Sequence, residues 1–89
     1  MQVDENAVQD VIKRLRRAEG QIRGIIGMLE SGRECAEVVT QLAAVSRALD
    51  RAGFKIIASG LQQCVAAQQN GDDQRADLEQ MEKLFLSLA

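Results

Sequence analysis

Apolar residues recur at three- and four-residue steps along most of the chain, and Val8, Val11, Ile12, Leu15, Ala18, Ile22, Ile25, Ile26 and Leu29 form the first stripe. This period predicts a helix over about residues 6–30 with one apolar face. Asn6 followed by Gln9 fits an N-terminal cap, and Ser31-Gly32 fits a stop. A second stripe, Val38, Val39, Leu42, Val45, Leu49, Ile56, Ile57, Leu61, Cys64 and Val65, predicts a helix over about residues 34–69. At 1.5 Å per residue that helix is ~50 Å long, longer than a globule of this size. Gly53 and Gly60 lie inside it, each costing up to about 1 kcal/mol relative to alanine, and mark places where it could bend. Asn70-Gly71-Asp72-Asp73 breaks the pattern, with Asp72 or Asp73 as the next cap. Leu78, Met81, Leu84, Phe85 and Leu88 then mark a short third helix.

A link of two or three residues at Gly32 forces the first two helices into an antiparallel hairpin with a broad apolar face. A second hairpin must cover that face, so the expected architecture is all-α, a three-helix protomer in an antiparallel four-helix-bundle dimer. Composition agrees. Residues 1–89 make a single domain that buries only roughly 60–65% of its unfolded surface, marginal for a lone copy. Aromatics are 2% of the chain and proline is absent, which favours helices packed through Ala, Leu, Ile and Val. Charge interrupts every apolar run before the ~18 residues needed to span a bilayer. Met1-Gln2-Val3-Asp4-Glu5 lacks a basic-then-apolar leader pattern. A cytoplasmic protein with no membrane partner is expected.

The net charge of −2 argues against nucleic acid, but its distribution does not. Residues 11–55 carry nine basic side chains against five acidic ones, net +4, and the flanks hold the remaining −6. Such segregation can give an acidic protein one basic, phosphate-binding face, although a solvated helix face has the same composition.

The two cysteines, Cys35 and Cys64, are the candidate chemical centre, and no histidine accompanies them. Twenty-nine residues of helix hold them ~43 Å apart, whereas a disulfide needs Cα atoms within about 7 Å. They cannot meet in one chain with the helix intact. If two copies of the long helix cross antiparallel near Leu49 and Asp50, Cys35 of one meets Cys64 of the other, giving two identical dithiol sites per dimer. Two buried, inert cysteines are the alternative. Cys35 sits in the first helical turn, where unpaired N–H groups and the macrodipole favour negative charge, with Arg33 two residues away. Cys35 is therefore the expected attacking sulfur and Cys64 the resolving one. A thiol-dependent enzyme is not expected, since no histidine base or evident substrate pocket accompanies the thiols.

The run Arg14-Leu15-Arg16-Arg17-Ala18-Glu19-Gly20-Gln21-Ile22-Arg23-Gly24-Ile25, with Met28-Leu29-Glu30, Cys35, Gln41-Leu42-Ala43-Ala44-Val45, Ala48-Leu49-Asp50 and Leu61-Gln62-Gln63-Cys64-Val65, resembles the copper-sensing operon repressor (CsoR) family over about residues 8–85. The resemblance implies a three-helix protomer, the antiparallel four-helix-bundle dimer, and usually a homotetramer built as a dimer of dimers. It also implies a repressor that releases operator DNA when a ligand reaches the cysteine site. The DNA-binding residues it implies are Lys13, Arg14, Arg17, Arg47, Arg51 and Lys55. The family's copper site adds a histidine four residues before the second cysteine, and here that position is Gly60. The tyrosine before the first cysteine is Glu34, and the supporting acid of the third helix corresponds to Gln80. Nickel or cobalt sensing needs still more imidazole. The formaldehyde-sensing branch uses an N-terminal proline, where this chain has Gln2. The pattern is most similar to the persulfide-sensing (CstR-like) branch, which implies reactive sulfur species as inducer, no cofactor, and a Cys35–Cys64 bridge between protomers. Linear Cu(I) coordination by the same two thiolates is the alternative.

Overall fold

The computed structural model describes residues 3–71 and 73–89, so Gln2 and the candidate cap Asp72 lie outside the described residues. Three helices follow one another, α1 (Glu5–Glu30), α2 (Cys35–Gln69) and α3 (Arg75–Leu88). α2 runs unbroken through Gly53 and Gly60. α1 packs along the first part of it and α3 folds back over the second part.

The hairpin between α1 and α2 closes as the sequence predicts at Ser31-Gly32, though over four residues instead of two or three. Gly32 takes φ +74°, and its N–H and that of Arg33 donate to the carbonyls of Leu29 (3.2 Å) and Met28 (3.0 Å). These two bonds satisfy the last carbonyls of α1 in a Schellman arrangement that glycine alone enters without strain. Gly71, φ +89°, follows α2, and its N–H donates to the Gln68 carbonyl at 3.0 Å.

The first cap is not Asn6. The residue flanking α1 is Asp4, whose side chain makes no capping bond, while its own backbone N–H donates to Ser59 Oγ at 2.9 Å. The start of α1 is therefore fixed by a tertiary bond to α2. Before α3 the flanking residue is Gln74, without a side-chain capping bond, and the expected cap Asp73 lies one position earlier. The Asp73 carboxylate accepts the Arg75 backbone N–H (3.1 Å). That bond, helped by the Arg75 side chain, lowers the Asp73 carboxyl from its ordinary value.

Buried residues fall at seven-residue steps on both long helices, Val11, Ala18 and Ile25 on α1 and Val38, Val45, Ala52 and Ser59 on α2. This is an antiparallel coiled-coil seam. Ile25, Val38 and Val45 form its core, with Met28 against them. At the other end, α3 approaches α2 so closely that a Cβ on Gly53 would lie 2.6 Å from Leu88 Cδ1. Phe54 and Phe85 meet with ring centroids 5.3 Å apart.

The chain is extended rather than compact, and its buried core is small. Its extents are 58 × 24 × 12 Å, the thinnest about one helix diameter. Its radius of gyration, 17.2 Å, exceeds the ~12 Å of a compact chain of this length. Its accessible surface is 6644 Å², against roughly 5,100 Å² for a compact monomer of this mass. Large apolar side chains contribute to the excess. Leu15, Ile22 and Leu29 on α1 are 42%, 42% and 61% exposed, and Leu42, Leu49 and Ile56 on α2 are 50%, 41% and 38% exposed. Each set again steps by seven, a second seam left uncovered. Among the described residues no helix is long and apolar enough to cross a membrane.

Candidate functional site

Cys35 is the first residue of α2 and is exposed. It stands seven residues before Leu42 and so belongs to the row of Leu42, Leu49 and Ile56, on the uncovered seam. Arg33, the cation nearest in sequence, pairs with Glu37 at 3.7 Å across a half-exposed surface. Cys64 lies 29 positions along the same unbroken helix and is 2% exposed. The two thiols occupy opposite ends of one rigid rod, and no disulfide joins them within the described chain.

Cys64 faces α3, where its Sγ lies 3.9 Å from Met81 Sδ, and Met81 is itself 4% exposed. Beside this sulfur pair is a cavity of about 260 Å³ lined by Val3, Ile56, Ile57, Gly60, Gln80, Met81 and Leu84. Gly60, where the family resemblance would put a histidine, is buried and offers no donor atom beyond its backbone. Gln80 lines the cavity, but the α3 side chain that touches the thiol is Met81. Sequence reasoning places Met81 only in the apolar stripe of α3. The signal that could have found it is a polarizable sulfur in a helix that must fold back on Cys64. Among the described residues no group of three His, Cys, Asp or Glu side chains could hold a metal ion.

The basic candidates are brought together by the antiparallel register of α1 and α2. Arg14 and Arg17 of α1 and Arg47 and Arg51 of α2 line one groove of about 260 Å³, with Gln21, Ala44 and Ala48 between them. Arg17, Arg47 and Arg51 make no ion pair among the described residues, so Arg47 does not pair with Asp50. Four guanidinium groups concentrated in one concavity favour an anion that can accept several charge-assisted hydrogen bonds, such as a phosphate. Lys13 is exposed on α1 and is not among the groove's lining residues.

Lys55 joins this face through a residue that the sequence assigns to the acidic flank. Asp10 Oδ2 accepts from Lys55 Nζ at 2.8 Å and from Arg14 Nε at 3.2 Å, clamping α1 to α2. The Lys55 ammonium, then the Arg14 guanidinium, hold the Asp10 carboxyl below its ordinary value. A depressed carboxyl contributes this clamp fully above the ordinary carboxylate range and loses it as the pH falls through its lowered value. At neutral pH the clamp is intact.

Residues 7–87 match the family model described as metal-sensitive transcriptional repressor. The copper-sensing transcriptional repressor RicR of Mycobacterium tuberculosis is 45% identical over 53 residues, covering 60% of this chain and 55% of the relative. The copper-sensing transcriptional repressor CsoR of Bacillus subtilis is 36% identical over 67 residues, covering 74% and 66% respectively. The chain thus spans between about half and two thirds of the length of these curated relatives. Among solved structures, the nickel-responsive transcriptional regulator InrS superposes with a TM-score of 0.81 at 29% identity, covering 100% of this chain and 97% of that one.

Proposed function

Because the chain belongs to the metal-sensitive transcriptional repressor family, we propose that it represses transcription as a DNA-binding homodimer, paired into a homotetramer, whose sensor is a dithiol shared between protomers. Cys35 of one protomer and Cys64 of the other form that dithiol, and reactive sulfur species are its inducer. The observation that carries the reading is the position of the thiols at opposite ends of the unbroken α2, one of them on its uncovered apolar row. Helices crossing antiparallel at Leu49 bring each Cys35 to a Cys64 of the partner and cover the exposed leucines and isoleucines in the same act. The ~1,500 Å² of excess surface per chain corresponds to about 3,000 Å² for two chains, within the range of obligate homodimer interfaces.

The exposure of the two thiols in the single protomer supports Cys35 as the first to react. An incoming persulfide reaches Cys35 before the buried Cys64. The Cys35 thiolate attacks the donor's outer sulfur and expels the donor thiolate, leaving a Cys35 persulfide. Cys64 of the partner, as thiolate, then attacks the Cys35 sulfur and expels hydrosulfide, leaving a disulfide between protomers. With a longer polysulfide on Cys35, attack one sulfur further out leaves a trisulfide. The bridge restrains the ends of the two long helices and so changes the spacing of the arginine grooves. An allosteric coupling of about 1–3 kcal/mol corresponds to roughly a 5- to 150-fold loss of operator affinity.

The test is treatment with polysulfide followed by mass spectrometry and operator binding. Covalent dimers joined through Cys35 and Cys64, with weakened DNA binding, are expected. Unmodified or only intrachain products would refute the switch. Cu(I) is the second reading, favoured by the sensing named for the relatives RicR and CsoR and by the soft donors around Cys64. It predicts Cu(I)-dependent operator release with no covalent dimer. Nickel, named for InrS, is disfavoured in a chain that contains no histidine.

Two substitutions test the DNA face. Arg14→Ala removes a groove guanidinium and should weaken operator binding while reducing the salt slope by about 1 for each phosphate that Arg14 neutralises. An unchanged slope would remove Arg14 from the interface. Asp10→Asn should act oppositely, releasing Lys55 and Arg14 toward phosphate and tightening operator binding several-fold at low salt, as read by fluorescence anisotropy. Weaker binding would mean that the clamp positions the basic side chains rather than restraining them.

A further inference from the structure

Cys64 and Met81 bring two soft sulfur donors together in the protein interior, 3.9 Å apart and 2% and 4% exposed. Two sulfurs bound to one ion at roughly 2.3 Å, the usual metal–thiolate length, and opened to a trigonal angle lie about 4.0 Å apart. The observed spacing therefore meets that requirement without rearrangement. The neighbouring cavity of about 260 Å³ is lined largely by apolar side chains, and Gly60 brings no side-chain donor to compete for an ion. With no histidine in the chain and no metal-holding carboxylate cluster among the described residues, the surroundings select a soft monovalent ion, for which thiolate and thioether are the preferred ligands.

We infer that Met81 is a metal ligand, its Sδ joining Cys64 Sγ and Cys35 Sγ of the partner subunit in a three-sulfur trigonal Cu(I) site. The third ligand rests on the interprotomer pairing proposed above, whereas the Cys64–Met81 pair lies within one chain. On binding, the two thiols each release a proton to solvent, the thioether stays neutral, and the oxidation state of copper does not change. The thioether would occupy the coordination place for which this chain has no histidine.

The experiment is copper-edge X-ray absorption on anaerobic selenomethionine protein loaded with one Cu(I) per protomer, beside a competition titration against a Cu(I) chelator. A selenium neighbour to copper is expected, kept in Met28→Leu and lost in Met81→Leu. Met81→Leu conserves volume and should preserve the fold while weakening Cu(I) binding at least about tenfold. A copper shell without selenium in the otherwise unmodified protein overturns the inference, as does unchanged affinity in Met81→Leu. In Cys35→Ala, a selenium neighbour retained at unchanged affinity would overturn the partner's contribution and leave the Cys64–Met81 pair standing.

Discussion

Leu49→Glu is expected to abolish the proposed dimer and leave the chain monomeric and largely unfolded at micromolar concentration. Leu49 is 41% exposed in the single protomer and sits in the uncovered row with Leu42 and Ile56. It also lies midway between Cys35 and Cys64, so a twofold crossing that pairs those thiols stacks Leu49 against its symmetry mate. The substitution replaces that contact with two like charges facing each other across the axis. Burying unpaired carboxylates costs several kcal/mol each, comparable to the whole stability of a small domain. The protomer has little in reserve, because a molecule 12 Å thick has no second layer to fall back on. Sedimentation equilibrium and far-UV circular dichroism check this together. A variant that stays dimeric with wild-type helicity would refute the antiparallel crossing at Leu49, and with it the pairing of the thiols.

The second large effect concerns those thiols. Polysulfide should weaken operator binding of the wild-type protein by roughly 5- to 150-fold. Cys35→Ala and Cys64→Ala should each remain bound, within about twofold, and form no covalent dimer. Mixing the two variants supplies the sharper result. A heterodimer of Cys35→Ala with Cys64→Ala retains one complete site, made from Cys64 of the first chain and Cys35 of the second. Covalent dimer should therefore reappear only after subunits exchange. A thiol pair acting within one chain predicts no such recovery, and neither does oxidation of a single accessible cysteine. Non-reducing electrophoresis before and after mixing distinguishes these cases.

The three helices are legible in the sequence because their signals are local. The three-to-four-residue period is set by helix geometry itself, and Ser31-Gly32 ends α1 through bonds made within six consecutive residues. The departure at Asn6 has the opposite origin. α1 begins at Glu5 because the backbone of Asp4 is held by Ser59, 55 residues away, a partner that no local cap rule contains. Asp10 falls with the acidic flank in the sequence, since distance along the chain conceals that α2 places Lys55 against it. Met81 is one more apolar residue of α3 until the fold sets its sulfur beside Cys64.

The sequence by itself determined the helices, their stops, the family, the absence of imidazole and the separation of two thiols along one helix. These follow from residue identity, a fixed rise per residue and short-range hydrogen bonds. Only the tertiary structure decided which face of each helix is used up by the hairpin, which arginines share a groove, and what lies against Cys64. Those facts depend on the antiparallel register of α1 and α3 on α2, which is set by how side chains far apart in the chain fit together.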